Sequence, residues 1–392
     1  MSSQTLAGVT VLDLTSYIAG PFGATLLGDL GANVIKVESP SGDMMRHYPS
    51  TLVGESRAYV GVNRNKRGIV IDLKKTGGLE VIKRLVQKAD VIVHNFRPGV
   101  SRRLGLEYEQ LMDINSKIIY CGLTGFGETG PMAGNPGFDQ VLQSLTGISK
   151  AQGGLEQIPQ VVWGSVVDYY SSSLLAMAIC AALYEREKSG QGQKINTSLL
   201  RSALAMQSGR LVWGQHENRN VERDLKGGKL NGIHPAKEGF IYLQAPTEDF
   251  WKSLCDLIGL SSMGQDPRYD SIKKRKENED ILLPILHEAL QKKTAIEWEQ
   301  HFGNRVPCSA VRSIEDMFDH PQVISQGLIS KHTHPTLGSY QTMTGPVQMA
   351  NGKSDLADRR APMLGEHTDE ILKEFDFSEP EINALRELQA VH

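Results

Sequence analysis

Paired cysteines are missing from this sequence. Its 392 residues include four cysteines, and no two of them form a C-x-x-C pair. This scarcity excludes a disulfide framework and a cysteine-based zinc site. The pair His332 and His334 is only a weak indication of a metal, because it lacks an acidic or cysteine partner, and a surface turn is the favoured interpretation. We therefore expect no metal.

Targeting and membrane signals are missing as well. The N-terminal residues MSSQTLAGVTVLDL lack a basic stretch followed by an apolar one, so we expect no signal peptide. The longest apolar run, near residues 174–183, is too short to span a bilayer. A formal net charge of -3 creates no overall field that would attract nucleic acid or an anionic membrane. We predict a cytoplasmic protein with no nucleic-acid or membrane partner.

Three common catalytic or nucleotide-binding motifs are absent: G-x-S-x-G, H-E-x-x-H and the Walker A loop. Glycines do follow the first strand-like run, at Gly20, Gly23 and Gly28. Their spacing is not G-x-G-x-x-G, which disfavours a nicotinamide or flavin site. Such glycines either cradle a phosphate or let a helix pack closely on a sheet, and the motif alone leaves both interpretations open.

Strand and helix patterns alternate through the first 130 residues. Runs rich in Val and Ile predict strands, and the stretch Leu79–Gln87 places its apolar residues on one helical face. The alternation predicts an α/β fold whose large domain has a parallel, Rossmann-type sheet. The predicted strands are Val9–Leu14, Asn33–Val37, Ile69–Leu73, Val91–His94 and Ile118–Cys121, and the predicted helices include Phe22–Leu30 and one from Asp168 to Gly190.

The chain is too long for one compact core, so we expect two domains. A polar, glycine-bearing stretch over residues 216–239 predicts a linker or mobile loop. A strand at Phe240–Gln244 and three helical patterns follow it and predict a smaller α+β domain. We assign residues 1–215 to the large domain, 226–325 to the small domain and 340–392 to a return to the large domain.

Basic residues cluster beside two of the predicted strands. Clusters of this kind beyond strand ends suit a polyphosphate, because arginine pairs with phosphate through its charge and its fixed fork of donors. For each cluster taken alone, a solvated surface is the favoured interpretation. The first cluster is Arg64, Lys66, Arg67, Lys74 and Lys75, and the second is Arg97, Arg102 and Arg103.

Asp168 stands between an apolar run and the long predicted helix. A carboxylate there is stabilised by the helix dipole and by free N–H groups, so a helix N-cap is one interpretation. The other is a nucleophile held in a partly apolar pocket. Without other evidence, the position favours the N-cap.

Five segments occur in an order and at spacings typical of one enzyme family. They are VLDLTSYIAGPFGATLLGDLGANVIKVE, NRNKRGIVIDLKK, ADVIVHNFRPGVSRRLGL, GFDQVLQSLTG and LYEREKSGQGQ. These segments resemble the class III CoA-transferases, the CaiB/BaiF family that includes formyl-CoA transferase. The resemblance runs through nearly the whole chain and returns near its end at RRAPMLGEHTDEIL.

The resemblance implies a transferase of sulfur-containing groups that moves CoA from an acyl-CoA donor to a small carboxylic acid. The reaction would pass through an aspartyl-CoA thioester, with acyl-CoA and a small carboxylate as substrates and no metal. A homodimer with interlocked subunits is also implied. We expect small polar or dicarboxylic acids such as succinate, with Arg46, His47 and Arg64 as candidates for selecting a dicarboxylate.

The resemblance also implies roles for individual residues. Asp168 matches the catalytic aspartate, and Tyr17 and Ile18 match the loop over the thioester. Backbone N–H groups near Tyr17–Ala19 or after Asp168 are candidate donors to the developing oxyanion. The positions that match CoA contacts are Ile71, Lys74, Asn95, Phe96, Val100, Arg103 and Leu104.

The sequence departs from the family pattern at several points. Formyl-CoA transferase has a glutamine where Ile18 stands and a lysine where Thr124 stands. The nearest match to its glycine-rich lid is KGGKLNG at 226–232. The α-methylacyl-CoA racemases of the family carry a histidine in a GHD motif, where this chain has Phe138 in GFD. Phenylalanine cannot shuttle a proton, which favours the transferase.

Three alternatives stay open beside the transferase. They are an acyl-CoA racemase or epimerase, a nucleotide-dependent dehydrogenase, and a non-catalytic CoA-binding protein. Deuterium exchange at the α-carbon would reveal the first, and a change in dinucleotide absorbance would reveal the second. The third would bind CoA without forming an aspartyl adduct.

Overall fold

A computed structural model describes residues 5–153, 158–218, 229–349 and 359–392. The chain divides into two compact units. The first comprises Met1–Val212 and Gln322–His392, and the second comprises Trp213–Pro321. The second unit is therefore one continuous insertion into the first.

A six-stranded sheet organises the first unit. Its strands are β1 (Thr10–Leu14), β2 (Asn33–Glu38), β3 (Lys66–Val70), β4 (Val91–His94), β5 (Ile119–Thr124) and β6 (Lys194–Ser198). All neighbours pair in parallel, in the order β3-β2-β1-β4-β5-β6. The order reverses between β1 and β4, which is where open α/β sheets place their ligands, beyond the carboxyl ends of the strands.

Nine helices of the first unit precede the insertion in the described part of the chain, together with a 3-10 turn at Met44–His47. They are α1 (Ala19–Asp29), α2 (Arg57–Val62), α3 (Thr76–Lys88), α4 (Val100–Leu104), α5 (Tyr108–Ile114), α6 (Asp139–Leu145), α7 (Ile148–Gly153), α8 (Val166–Ser189) and α9 (Leu199–Ala205).

Each face of the sheet packs against helices over its own apolar core. Val11 of β1 faces the core shared with α1 and α8. Its neighbour Leu12 faces the core shared with α3 and α5, because successive strand side chains point to opposite faces. The helices α1 and α8 lie very close together. A Cβ atom at Gly23 would stand 2.8 Å from the Leu175 side chain, so a larger residue would force that side chain to move.

The long helix matches its prediction closely. It begins at Val166 and ends before Gly190, whose left-handed backbone is the usual conformation after a helix end. The helix α1 begins earlier than predicted, at Ala19. Pro21 is compatible with that start because a proline in the first turn has no need of an N–H acceptor.

The third strand begins earlier than predicted, at Lys66 rather than Ile69, and all its residues are buried. Lys66 and Arg67 resemble surface residues in the sequence. In the fold, the Lys66 ammonium pairs with the Asp13 carboxylate at 2.8 Å, and Arg67 pairs with two glutamates of the C-terminal region. Ion pairing is what makes their burial possible. The edge strand β6, built largely of polar residues, is not predicted from the sequence.

The second unit contains a small antiparallel sheet covered by helices. Its core surrounds the indole of Trp298. The strand order is β7-β8-β9. The elements are β7 (Gly232–Pro235), β8 (Phe240–Leu243), α10 (Glu248–Leu257), α11 (Ser261–Gly264), α12 (Ile272–Glu277), α13 (Glu279–Leu290), α14 (Ala295–Phe302), β9 (Cys308–Ala310) and a 3-10 turn at Glu315–Phe318.

The predicted linker is partly wrong. Its C-terminal portion forms β7, which pairs with β8 and buries His234. The glycine and polar residues around this strand conceal it in the sequence. Residues 219–228 of the same stretch lie outside the described residues.

The last part of the chain returns to the first unit. Its elements are α15 (Pro321–Ser325), β10 (Ile329–His334), β11 (Gly338–Met343), α16 (Thr368–Glu374) and α17 (Glu379–Glu387). The first unit resumes at Gln322 and includes the β10–β11 hairpin.

The two histidines of that hairpin do not lie in a surface turn, so that interpretation is wrong. His332 and His334 belong to β10, and both side chains are buried. Alternate residues of the strand face inward, which places both rings on the same side.

One described helix, α8, has the length and apolar composition of a helix that could cross a membrane. Core helices of soluble proteins share these properties, so they are weak evidence. Leu175, Ile179 and Leu183 of α8 pack in the core against the sheet. This packing accounts for the apolar residues on that side of the helix.

Candidate active site

A cavity of about 660 Å³ opens in the first unit at the carboxyl ends of β1, β4 and β5. The segments that follow these strands supply much of its lining. The 3-10 turn at Met44–His47 and the start of α8 complete it. The lining residues come from segments 16–19, 44–45, 95–98, 123–125, 135–140 and 163–165, and from Tyr48, Ala58, Ala133, Asp168 and Leu199. The cavity thus occupies the point where the strand order reverses.

Asp168 lies in the first turn of α8 and lines this cavity. Ser165, immediately before the helix, holds a left-handed backbone with φ of 56°, and Gly164 precedes it at φ of 98°. A serine in this conformation is strained, and such strain is found preferentially at functional sites. The turn presents the first residues of α8 to the cavity.

The Asp168 carboxyl group has an unusual affinity for its proton. Burial, and after it the charge of the neighbouring Asp139, raise its pKa from 3.8 to about 7. A helix N-terminus alone would act in the opposite direction. Near neutral pH this side chain therefore exchanges between its acid and its carboxylate form.

Asp139, the first residue of α6, caps α8 in place of Asp168. Its Oδ2 atom accepts the N–H groups of Val167 at 2.6 Å and Asp168 at 3.0 Å, and its Oδ1 atom accepts an N–H of Gln143. The Asp139 side chain is fully enclosed. The N-cap interpretation of Asp168 is therefore wrong, because a different aspartate performs that role.

The Asp168 carboxylate is left unpaired. Its main chain is bonded, since the N–H donates to Asp139 and the carbonyl accepts the Ser172 hydroxyl at 2.9 Å. No hydrogen bond or ion pair from the described residues reaches its carboxylate oxygens. The group is thus free to act on a molecule in the cavity.

A tightly held loop at residues 16–19 forms another part of the cavity lining. Tyr17 has a left-handed backbone with φ of 73°. Asp43 accepts the Ser16 hydroxyl at 2.9 Å and the Tyr17 N–H at 3.2 Å. The Asn95 side chain accepts the Ser16 N–H at 3.1 Å and donates to the Ser16 carbonyl at 2.7 Å. These bonds fix the loop in its strained shape.

Four buried charged residues form two ion pairs next to the loop. Lys36 pairs with Asp43 at 2.7 Å and also donates to the Thr15 carbonyl. Lys66 pairs with Asp13 at 2.8 Å. Burial opposes ionisation of Asp13, but the nearby Lys36 and Lys66 charges dominate and hold its pKa at about 2. We call these four residues the charge quartet: Asp13, Lys36, Asp43 and Lys66.

Backbone N–H groups of the loop are available to an oxyanion. The first N–H groups of a helix have no acceptor within the helix. The Tyr17 N–H is taken by Asp43 and the Asp168 N–H by Asp139, and the Tyr169 N–H, the first after Asp168, donates to the Ser165 carbonyl. Ile18 and Ala19, which begin α1 and line the cavity, retain theirs. Of the two sets of donors considered from the sequence, the structure favours the one at the start of α1.

Aromatic side chains border the cavity. The Tyr17 and Phe138 rings meet edge to face, with centroids 5.6 Å apart. Phe96 stacks on the buried His94 ring, whose Nδ1 atom accepts the Phe96 N–H at 3.3 Å. Burial lowers the His94 pKa to about 4, so the ring is neutral. His94 thereby holds the wall formed by Phe96.

Half of the predicted site residues line this cavity, namely Asp168, Tyr17, Ile18, Asn95 and Phe96. The others lie outside its lining. Ile71 is in the apolar core, against which Phe96 and Leu104 also pack. Val100 is half-buried, whereas Lys74 and Arg103 are exposed. The lid candidate at 226–232 begins outside the described residues.

The basic residues chosen from the sequence are mostly neutralised within the fold. Arg64 pairs with Asp29 at 2.6 Å, and Arg46 pairs with Glu38 at 2.8 Å. Neither lines the cavity, nor does His47. The charges of Arg46 and Arg64 are already satisfied by these partners, so the structure gives no support to their selecting a dicarboxylate, and that role stays a prediction.

Two residues of the site are missed by the sequence reasoning. Asp139 is adjacent to Phe138, the residue that distinguishes this chain from the racemases. The hydrogen bond between Asp139 and Asp168 depends on tertiary contact, so the sequence does not reveal it. Asp43 follows a short Ser-Gly turn and gives no separate signal. An acidic residue at the start of a helix after a Gly-Pro-rich loop is the sequence feature that marks Asp139.

A parallel sheet with a cavity and an unpaired carboxylate at its carboxyl edge is an arrangement typical of α/β enzymes. A model of CoA-transferase family III matches residues 6–368. Succinyl-CoA:glutarate CoA-transferase from Homo sapiens is 34% identical over 381 residues, covering 94% of this chain and 85% of that protein. Acetyl-CoA:oxalate CoA-transferase from Acetobacter aceti is 34% identical over 382 residues, covering 94% and 95%.

Solved structures agree with the sequence comparison. A CaiB/BaiF family protein from Brucella suis matches with a TM-score of 0.83 and 29% identity, covering 95% of this chain and 99% of that chain. The chain belongs to CoA-transferase family III, the CaiB/BaiF family. The resemblance inferred from its motifs is confirmed.

Proposed function

We propose that this protein transfers CoA from an acyl-CoA donor to a small carboxylic acid through a thioester between CoA and the Asp168 carboxyl group. One observation carries the proposal. The Asp168 carboxylate faces a large cavity with no partner among the described residues, as a nucleophile requires. The names of the two relatives, which describe exchange between acyl-CoA and small acids, support the same reaction class.

The first half-reaction begins when the Asp168 carboxylate attacks the carbonyl of the donor thioester. The C–S bond breaks, CoA leaves as a thiolate, and a mixed anhydride joins Asp168 to the acyl group. The thiolate then attacks the aspartyl carbonyl. Aspartyl-CoA forms and the donor acid leaves as its carboxylate, so no proton is gained or lost.

The second half-reaction repeats these steps in reverse. The acceptor carboxylate attacks aspartyl-CoA, which releases the thiolate and forms a second anhydride. The thiolate then takes the new acyl group and restores the Asp168 carboxylate. The overall reaction exchanges one thioester for another of similar energy.

The chain supplies two further elements for this chemistry. The N–H groups of Ile18 and Ala19 would hold the oxyanion that develops at each attacked carbonyl, and the α1 dipole adds to that effect. The paired Tyr17 and Phe138 rings would restrict water, which would otherwise hydrolyse the anhydride.

The fold also supports binding of the CoA nucleotide at this edge. The strand order is that of doubly wound nucleotide-binding sheets, which supports a Rossmann-like large domain. Arg97 is the only cationic residue in the described lining of the cavity, and its guanidinium suits a CoA phosphate. Several expectations stay predictions: the domain boundaries, the interlocked homodimer, the cytoplasmic location, and the CoA contacts at Ile71, Lys74, Val100, Arg103 and Leu104.

The racemase alternative has less support. A two-base racemase needs a second proton-transfer group beside Asp168. No histidine is among the described residues that line the cavity, and the oxygens of Asp139 already accept N–H groups. Phe138 occupies the position of the racemase histidine and contacts Tyr17.

A direct test uses Asp168→Ala. We expect this variant to bind CoA with unchanged affinity in a calorimetric titration and to lose exchange between acyl-CoA and a panel of carboxylates, followed by mass spectrometry of the product thioesters. Retained exchange would refute the proposal. Wild-type protein that washes deuterium into the α-carbon of acyl-CoA without exchanging acids would support the racemase instead.

A further inference from the structure

The helix α8 carries three consecutive serines directly after its first turn: Ser171, Ser172 and Ser173. Each hydroxyl donates to the main-chain carbonyl four residues earlier, at 2.7 Å for Ser171, 2.9 Å for Ser172 and 3.2 Å for Ser173. Bonds of this kind are ordinary for a serine inside a helix. Ser172 has a second contact, because its hydroxyl also lies 2.7 Å from the Ala19 carbonyl oxygen of α1.

We infer that Ser172 is a positioning residue that holds Asp168 at the correct separation from the N–H groups at the start of α1. The inference rests on the proposed function, in which Asp168 attacks and the Ile18 and Ala19 N–H groups hold the oxyanion. The Ser172 hydroxyl contacts the main chain of Asp168 and that of Ala19, so it joins one residue from each of these two sets. Ser172 is not part of the cavity lining and acts through these two residues.

The two helices lie close enough for a side chain as short as serine to reach across. A Cβ atom at Gly23 of α1 would stand 3.1 Å from the Ser172 carbonyl oxygen. The Ser172 side chain is fully buried, so water does not compete for its two acceptors. Its hydroxyl has a single hydrogen, which the carbonyls of Ala19 and Asp168 share. Separation of the two main chains would leave one of these contacts too long for a hydrogen bond.

The proposed reaction is sensitive to this separation. Donors stabilise an oxyanion when they lie about 2.7–3.1 Å from the place where its charge develops. A displacement of about 1 Å can cost about a hundredfold in rate. Without the Ser172 hydroxyl, α1 and α8 would still pack through apolar contacts, including the Phe22 and Tyr169 rings, whose centroids are 5.0 Å apart. We therefore expect the variant to fold and to lose rate.

The test compares Ser172→Ala with Ser171→Ala as its matched control. The control removes an equally buried hydroxyl and the same kind of bond within α8. We expect Ser172→Ala to lower kcat for thioester exchange by about tenfold, with unchanged CoA affinity in a calorimetric titration. Ser171→Ala should keep both values close to those of the wild type. Exchange is measured with the donor and acceptor that the wild type uses best in the panel above.

A third variant, Ser172→Cys, keeps a hydrogen on a side chain of similar size. Its S–H group is a weaker donor than a hydroxyl, so kcat should fall between those of the wild type and Ser172→Ala. Thermal melts accompany each measurement. If Ser172→Ala melts below the assay temperature, the cysteine variant decides: a wild-type kcat in that variant overturns the inference, and a lowered kcat with unchanged CoA affinity supports it.

The outcomes separate this inference from the proposed function. A kcat for Ser172→Ala equal to that of Ser171→Ala would overturn the inference. A loss of CoA affinity as large as the loss of kcat would also overturn it, since it would indicate a general disturbance of the cavity. Both results leave the proposed function intact if Asp168→Ala is inactive. Exchange retained in Asp168→Ala would overturn the proposed function and the inference together.

Discussion

Two groups of buried carboxylates at the same edge of the sheet differ in whether a cation is paired with them. In the charge quartet, each aspartate has a lysine partner within 2.8 Å, and the pKa of Asp13 falls to about 2. Asp139 and Asp168 lie beside each other with no cation paired to either in the described structure, and the pKa of Asp168 rises to about 7. The aspartates of the quartet are held as anions by their lysines, whereas Asp168 can change its charge near neutral pH.

The ion pairs of the first group stabilise the fold, whereas the Asp168 carboxylate of the second group has no partner among the described residues and is available for chemistry. The quartet fixes the loop that carries Tyr17, so its ions are saturated with bonds. The Asp168 carboxylate accepts no hydrogen bond from the described residues, and burial destabilises its anionic form. Ionisable groups with pKa values shifted in this way are often found in active sites. Substitutions in the two groups should therefore have contrasting effects on stability and activity.

The largest contrast is expected from Asp168→Asn. Exchange should fall by at least roughly a thousandfold, because the amide is not a nucleophile. The folded protein binds the Asp168 proton more tightly than the unfolded chain, so wild-type stability declines as the pH rises from about 4 to 7. The variant removes that loss and should melt a few degrees higher at pH 8. Thermal melts and thioester assays measure both effects.

The exposed Asp113 provides the matched control for this prediction. Asp113→Asn should change neither exchange nor the pH dependence of melting. Exchange retained in Asp168→Asn would contradict the nucleophilic role. A melting temperature lowered at pH 8 would contradict the destabilising environment of that carboxylate.

Lys66→Met should have the opposite effect, with a large loss of stability. The substitution leaves the Asp13 carboxylate buried without its nearest cation, which costs about 3–5 kcal/mol. Urea unfolding measures the loss. The double variant Asp13→Asn with Lys66→Met should recover part of it because no unpaired charge remains. A single variant as stable as wild type would show that the quartet does not support the fold.

Asp139→Asn tests the influence of one acid on the other. Attack requires ionised Asp168, so kcat/KM for the donor should rise with pH through about 7 in the wild type. Without the Asp139 charge, burial alone keeps the Asp168 pKa high, and the midpoint of this profile should move to lower pH. A midpoint that stays in place or rises would contradict the electrostatic coupling.

The smallest effect is expected from loosening the Tyr17 loop. Asn95→Ala removes two bonds to Ser16 and should lower kcat/KM by about tenfold, since the loop positions the Ile18 and Ala19 N–H groups. Asn95→Asp keeps the acceptor for the Ser16 N–H and should fall between wild type and Asn95→Ala. Steady-state kinetics measure the order, and an Asn95→Ala variant with wild-type kcat/KM would contradict it.

Much of the sheet, and the place of Asp168 at the cavity, could be predicted from the sequence. Strands such as β4 are apolar runs, and their pattern is local, so Val91–His94 is predicted to the residue. Asp168 is identified through the ordered motifs around it. The start of β3 is mispredicted because Lys66 and Arg67 are buried only through partners that are distant in the sequence.

The contact between Asp139 and Asp168 could not be predicted from the sequence. Asp139 and Asp168 lie on different helices, and their contact depends on how α6 and α8 pack. The same is true of Arg46 and Arg64, whose availability depends on Glu38 and Asp29. Local sequence patterns predict helices and strands, whereas tertiary contacts determine which charged side chains are paired and which are not.

The central claim, that the Asp168 carboxylate forms the covalent intermediate, has a direct isotopic test. Wild-type protein is incubated with an acyl-CoA donor and an acceptor acid whose carboxylate carries ¹⁸O, and the peptide containing Asp168 is analysed by mass spectrometry. The proposed reaction leaves one acceptor oxygen in the Asp168 carboxylate after each turnover, so the peptide should gain ¹⁸O. Formation of product thioester with no label in Asp168 would contradict the mechanism.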